Sequence, residues 1–278
     1  MKKNRLVSPV LKWVGGKRQL IDTFQPLLPK KITTYYEPFI GGGALLFHIQ
    51  PKTAYINDIN SELICVYTVI KKNVDELIRK LEQFENTPEQ FYAVRDWDRD
   101  TDYYESISEI DKAARIIYLN KTCYNGLYRV NNAGEFNTPF GYYRNPNIVN
   151  APVLRAVSSY LNDADIYMTN VDYGEALDNV RRGSFVYLDP PYDPISNSSS
   201  FTGYTRDGFS KDDQVKLRMC CDDLNAKGIK FMLSNSATEF IKEQYSAYNI
   251  TVVQAKRSVN SVASKRGDVA EIVVRNYD

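Results

Sequence analysis

Histidine is almost missing from this chain: its 278 residues contain one, His48. That excludes a multi-histidine metal site, and a Ser-His-Asp or Cys-His hydrolytic centre would have to be built on His48 alone. His48 lies in LLFHIQ, on an expected helix just past a glycine-rich turn, and reads as a structural side chain. Cysteine is scarce too. Cys65, Cys123, Cys220 and Cys221 form no C-x-x-C pair, and two of them are adjacent. They read as reduced thiols of a cytoplasmic protein. No apolar run reaches the roughly 18 residues of a membrane-spanning helix. The opening MKKNRLVSPVLKW lacks the apolar core of a signal peptide. A G-x-G-x-x-G is also missing, which argues against a dinucleotide pyrophosphate on the first helix.

Net charge is nearly absent, at +1, so the bulk balance announces no polyanionic partner. Its distribution says more. Residues 1–31 carry eight Lys/Arg against one Asp, residues 112–146 five against one Glu, and residues 251–267 four against no acid. Residues 82–111 hold ten Asp/Glu against two Arg. Such segregation is expected when one face meets a polyanion, although ordinary solvated surface gives the same pattern.

What is present is a globular balance, 43% hydrophobic and 25% charged. The length suits one large domain or a core domain with an insert. Strands are expected at 33–36, 53–57, 165–169, 184–188 and 229–234, with an antiparallel pair at 250–254 and 270–275. Helices are expected from about Ala44, from an N-cap at Ser61 through residue 84, over 113–120 and over 211–226. Leu63, Val66, Tyr67, Ile70, Val74, Leu77, Ile78 and Leu81 keep a helical period along the second of these. Strands alternating with helices predict an α/β fold on a parallel, Rossmann-like sheet. A different block interrupts it: an acidic, Tyr-rich and largely helical stretch, then a polar loop at 121–150 with room for a hairpin. The expected division is a catalytic domain of residues 1–69 and 166–278 and a mainly helical inserted domain of residues 70–165.

Two turns carry the chemistry. Phe39-Ile40-Gly41-Gly42-Gly43 follows a strand and opens a helix; its glycines let the chain turn tightly and a ligand approach the backbone. Asp58 ends the next strand, where a carboxylate can accept ribose hydroxyls, an arrangement shared by NAD and S-adenosylmethionine enzymes. Asp189-Pro190-Pro191-Tyr192 follows the strand SFVYL. An exocyclic amine on a heteroaromatic ring is a poor nucleophile because its lone pair is delocalised. Two acceptors on its hydrogens favour a pyramidal nitrogen and take up developing positive charge. The Asp189 carboxylate and the Pro190 carbonyl can be those acceptors, with the prolines fixing the backbone. Tyr192 offers a flat face for a base. A methyl sulfonium brings its own leaving group, so the chemistry needs neither a strong base nor a metal.

Other segments are weaker signals. In KWVGGK, Trp13 beside a Gly-Gly turn and Lys17 would supply an aromatic wall and a cation for a methionine carboxylate. Residues 118–147 contain five Tyr and seven Asn. Arg pairs with guanine, Asn with adenine, and Leu or Pro can touch a thymine methyl. Aromatic side chains can fill the stack vacated by a flipped base. Residues 256–266 are small and basic, as suits a phosphate backbone. Residues 196–200 are expected to order around substrate.

In this order, KWVGGK, FIGGG, NDIN and DPPY resemble the Dam-type DNA adenine-N6 methyltransferases, the alpha group or D12 class, over nearly the whole chain. LNKTCYNGLYRVNNAGEFNTPFGYY is similar to the recognition segment of members that methylate GATC. The resemblance implies a Rossmann-like S-adenosylmethionine-dependent sheet with residues 70–165 as the target-recognition insert. It implies double-stranded DNA as partner, and no obligate protein partner is called for. By motif, Trp13, Lys17, Phe39, Gly41, Gly43, Asp58 and Asp189 would line the cofactor. Asp189, Pro190 and Tyr192 would hold a flipped adenine. Tyr124 and Asn125 would enter the opened stack, Arg129 would read guanine, and Leu127, Pro139 and Tyr143 would meet neighbouring bases or backbone. Tyr142 stands where some members carry a basic residue. Such enzymes are cytoplasmic proteins of prokaryotes or their phages, in housekeeping, restriction-linked and phage-borne forms. DPPY chemistry alone also admits cytosine N4, an RNA base or a glutamine amide as target, or a DNA-binding protein that has lost catalysis.

Overall fold

The computed structural model describes residues 3–13, 15–195, 208–256 and 268–278. The loop expected at 196–200 and, beyond Lys256, the basic loop lie outside the described residues. Seven strands form one sheet: β1 (Tyr35–Glu37), β2 (Thr53–Asn57), β3 (Asp165–Thr169), β4 (Phe185–Leu188), β5 (Lys230–Ser236), β6 (Asn249–Lys256) and β7 (Asp268–Arg275). Their order is β3-β2-β1-β4-β5-β7-β6. The first five run parallel, and β7 lies antiparallel between β5 and β6. The helices are α1 (Ile21–Phe24), α2 (Ala44–Ile49), α3 (Ser61–Lys72), α4 (Val74–Leu81), α5 (Pro88–Arg95), α6 (Thr101–Ser106), α7 (Glu109–Thr122), α8 (Ala151–Asp163), α9 (Tyr173–Leu177), α10 (Lys211–Ala226) and α11 (Glu239–Gln244). None of the described helices is long and apolar enough to cross a membrane.

The central strands are apolar on both faces because both are covered. Phe185 and Tyr187 of β4, Met232 of β5 and Val273 of β7 enter one core. Val186, Leu188, Phe231, Leu233, Ile272 and Val274 enter the other, beneath α10 and α11. The period of two is what a strand imposes. All the helices from α4 to α8 fall between β2 and β3. Apolar side chains of α4, α5, α7 and α8 continue the first core without a seam, so the interruption packs as part of the same hydrophobic unit. On the second face of the sheet, Tyr36, Tyr55 and Tyr167 stack across β1, β2 and β3, with centroids 4.7 Å apart at each step.

The structure corrects several expected boundaries. The cap of α3 is Asn60, whose side chain accepts from Leu63 N, and not Ser61. The single helix expected through residue 84 is two, broken at Asn73 (φ −137°). The Asn73 side chain makes no cap there; its amide reaches the Glu76 carboxylate at 3.5 Å. The bend lets α4 pack on α7 and α8. α8 is not among the expected helices, although Asn150 caps it and Pro152 sits in its first turn, a start signal the sequence contains. The polar loop does form a hairpin, with isolated bridges Cys123 to Phe140 and Val130 to Phe136. His48 lies on α2 within 2.5 Å of Gln25 Oε1, away from the chemistry described next.

Candidate active site

From β1 the chain moves outward through β2 to β3; from β4 it moves the other way to β5. The crevice beyond the carboxyl ends of β1 and β4 is therefore the switch point, where open α/β sheets bind ligands. The FIGGG turn leaves β1 there and the DPPY turn leaves β4 there.

The glycine turn is tightly determined. Gly41 and Gly43 have φ of +46° and +67°, a region costly for any residue with a Cβ. A Cβ on Gly41 would lie 2.9 Å from Trp13 Cδ1, and one on Gly43 2.9 Å from the Tyr67 hydroxyl. Gly41 N donates to Asp58 Oδ2 (3.0 Å), and Tyr67 donates to Gly41 O (2.8 Å). The other Asp58 oxygen accepts from Asn60 N at 3.0 Å. Burial pushes the Asp58 carboxyl up to about 6, opposed by those two backbone N–H groups. Beside it Ile59 is 56% exposed. Phe39 packs with Tyr173 and Phe209.

At the DPPY turn, Lys17 Nζ lies 2.8 Å from Asp189 Oδ1 and 4.6 Å from the centre of the Tyr192 ring, and donates to Gly15 O. Lys17 is only 4% exposed. Asp189 Oδ1 is buried against that ammonium. Burial lifts the Asp189 carboxyl to about 6, with Lys17 acting the other way. The following backbone is braced from β5 and α10. Gln214 donates to Pro191 O (2.8 Å), Asp193 N donates to Asn235 Oδ1 (3.1 Å), and Ser236 donates to Asp193 O (2.7 Å). Thr238 donates to Asp193 Oδ2 at 2.7 Å. The Pro191 carbonyl is thus held by protein, while among the described residues no donor is recorded on Pro190 O.

The segment before Lys17 joins this crevice to the hairpin after α7. Asn120, 1% exposed, accepts from Lys12 N (2.8 Å) and donates to Lys12 O (2.7 Å) and Gly126 O (3.0 Å). Trp13 stacks on Tyr128 with centroids 4.9 Å apart. Lys121 donates to Val10 O; burial, with Lys12 and Arg18 nearby, pushes its ammonium down to about 8. Lys12 sits 5.4 Å over the Tyr143 ring. On the hairpin, Tyr124 is 49% exposed, its N–H held by Pro139 O, and Asn125 adopts φ +57°. Arg129 Nε donates to Asn137 Oδ1 at 2.6 Å. Tyr142, 76% exposed, packs edge-on against Phe140.

Trp13, Lys17, Phe39, Gly41, Gly43, Asp58, Asp189, Pro190 and Tyr192 all come together at the switch point. Tyr124, Asn125, Leu127, Arg129, Pro139 and Tyr143 share the hairpin beside it. The cation of Lys17, expected to await a ligand, lies against Asp189. Sequence reasoning missed Glu37, which is buried beneath the crevice, accepts from the Tyr35 hydroxyl (2.8 Å), and is raised well above the usual carboxylate range by burial. It also missed Ile59, Tyr67, Asn120, Gln214, Asn235 and Glu271. Ile59 carried a signal, an apolar residue directly after the strand-end carboxylate.

A parallel sheet with an antiparallel β7, with a glycine turn and a DPPY turn facing each other at its switch point, defines a Rossmann-like methyltransferase. Residues 13–259 match the family described as D12 class N6 adenine-specific DNA methyltransferase. The type II methyltransferase M1.LlaDCHI of Lactococcus lactis subsp. cremoris is 45% identical, covering 100% of this chain and 98% of its own. The type II methyltransferase M.MjaIII of Methanocaldococcus jannaschii is 40% identical, covering 98% and 99%. The DNA adenine methylase of Escherichia coli K12 is 32% identical, covering 98% and 95%. The chain belongs to the D12 class N6 adenine-specific DNA methyltransferases. It is an adenine-specific DNA methyltransferase, and the family implies S-adenosylmethionine as methyl donor. The cytosine, RNA and glutamine readings left open by DPPY alone fall away.

Proposed function

We propose that the enzyme methylates N6 of an adenine flipped out of duplex DNA, within GATC, using S-adenosylmethionine. The observation carrying the catalytic part is the Asp189 carboxylate, held at the end of β4 by Lys17 Nζ at 2.8 Å, next to a Pro190 carbonyl fixed by its prolines. A paired carboxylate oxygen keeps further lone pairs for a ligand's donor. An exocyclic amine offers two N–H groups to these two acceptors. Asp189 Oδ1 takes one, Pro190 O the other, and the nitrogen lone pair is turned out of conjugation. When bound, the cofactor supplies a methyl sulfonium whose thioether is the leaving group. Asp189, with its carboxyl near 6, is ionised at neutral pH and accepts the proton that N6 loses.

The chain's residues fit such a cofactor. Gly41 and Gly43 hold the turn at positive φ, packed against Trp13 and Tyr67, so that its backbone can face a ligand; Asp58 suits ribose hydroxyls, and Phe39 and Trp13 are aromatic walls. Lys17 holds Asp189 and faces a cofactor carboxylate with its remaining donor. Tyr192 stacks on the target base. In this reading residues 1–69 and 166–278 do the chemistry, and residues 70–165 recognise the target. Tyr124 and Asn125 enter the opened stack and Arg129 exchanges Asn137 for guanine, while Leu127, Pro139 and Tyr143 touch neighbouring bases or backbone. Support for GATC is the likeness of LNKTCYNGLYR to the segment of GATC-methylating relatives. The test is to incubate unmodified plasmid with enzyme and cofactor, then digest with nucleases that require or refuse methylated GATC. Full protection at GATC is expected; methylation at other sites would replace that specificity.

A further inference from the structure

The turn after β4 is braced through its backbone, yet its aromatic ring has a separate support. The Tyr192 hydroxyl donates to Glu271 Oε2 at 2.8 Å. Glu271 lies on β7, opposite Ser236 of β5 and Val253 of β6. Because β7 runs against the other central strands, it starts where β5 ends. Its first turns of chain therefore stand at the carboxyl edge of the sheet, among the residues that brace the DPPY backbone. Ala237 N donates to Ala270 O (3.2 Å) and pins that start in place. Glu271 also lies beyond the residues matched to the family.

We propose that Glu271 is a positioning residue: its carboxylate holds the Tyr192 hydroxyl and so fixes the ring against which the target adenine stacks. This rests on Tyr192 being the adenine's stacking partner, as set out above. Two prolines fix the backbone up to Pro191, but nothing in that backbone fixes the side-chain torsions of Tyr192. The ring is held at one end by Glu271 and on one face by the Lys17 ammonium. A carboxylate accepting from a phenol also enriches the ring in electron density. That strengthens its attraction for an adenine that gains positive charge as the N–C bond forms, an interaction that grows toward the transition state. Burial and the nearby Asp189 and Glu271 carboxylates push the Tyr192 phenol well above its ordinary value, so its proton stays in place.

The experiment compares Glu271→Gln, Glu271→Ala, Tyr192→Phe and the Tyr192→Phe/Glu271→Ala double variant. Single-turnover methyl transfer is measured on saturating GATC duplex. In parallel, 2-aminopurine replaces the target adenine, and its fluorescence anisotropy is followed on the protein without cofactor. Glu271→Ala is expected to slow transfer by about tenfold, the weight of one charge-assisted hydrogen bond, with KM changed less than about twofold. It is also expected to loosen the 2-aminopurine. Glu271→Gln, whose amide oxygen still accepts, returns the rate to within about threefold of the parent. In the Tyr192→Phe background, Glu271→Ala has no further effect, because the hydroxyl it acts through is gone. A Glu271→Ala enzyme with parental rate and anisotropy overturns the proposal, as does full multiplication of the two single effects. If the parent itself neither methylates the duplex nor immobilises 2-aminopurine, the stacking role of Tyr192 fails first and this proposal falls with it.

Discussion

Asp189, Lys17 and Asp58 are enclosed at the carboxyl edge of the sheet, each set by strand ends, glycine turns or buried hydrogen bonds. Tyr124, Asn125 and Arg129 stand on an open hairpin whose polar groups bond chiefly to one another. The first region is built before any ligand arrives. Its carboxyls are lifted by burial, and one of them is paired with Lys17. The second is satisfied in isolation, with Arg129 on Asn137, and on the proposed reading it exchanges partners at the target. Preorganisation serves a reaction that is the same at every site, and exchangeable contacts serve discrimination, which is a difference between sites.

Four variants or conditions can break or sharpen that contrast. The largest effect is expected from Asp189→Ala, which removes a preorganised acceptor: single-turnover transfer should fall about a thousandfold or more, with the circular-dichroism melt still cooperative. Turnover near the parental rate would remove Asp189 from the chemistry. Asn120→Ala should come next, because it strips the clasp between the two regions and leaves Lys12 N, Lys12 O and Gly126 O without that partner. Urea unfolding should register a loss of about 2–3 kcal/mol, and an unchanged midpoint would mean that water replaces the amide. Arg129→Ala should leave the rate on saturating cognate DNA far less affected. Competition between GATC and its single-base variants should lose about 1–3 kcal/mol at the guanine. Equal selectivity would move guanine recognition elsewhere on the hairpin. The smallest effect concerns pH. Asp189 must be ionised to accept, so kcat/KM should decline as pH falls through about 6, by about tenfold per unit below it. A profile flat down to pH 5 would contradict an Asp189 carboxyl held that high.

The two regions were also unequally legible. FIGGG, Asp58 and DPPY can be placed on strand ends from pattern alone, because a parallel sheet fixes where its turns fall. Strands β2 and β3 and helix α10 have the expected boundaries for the same reason, a strong local period. The cap at Asn60 depended on which of two neighbouring side chains captured Leu63 N, and the break at Asn73 forms without any side-chain cap, so packing settled both. Asn120 reads as one more polar residue of a recognition segment; its role appears only when residues far apart in the chain meet. Glu271 is hidden in the same way, since nothing around it in sequence shows that β7 begins beside Tyr192.

The clasp between Lys12 and Asn120 spans 108 residues. At a synthesis rate of about 5–20 residues per second, Lys12 is made roughly 5–20 seconds before Asn120. Asp189, the partner of Lys17, comes later still. A nascent chain therefore carries Lys12 and Lys17 before either of these two partners has been made.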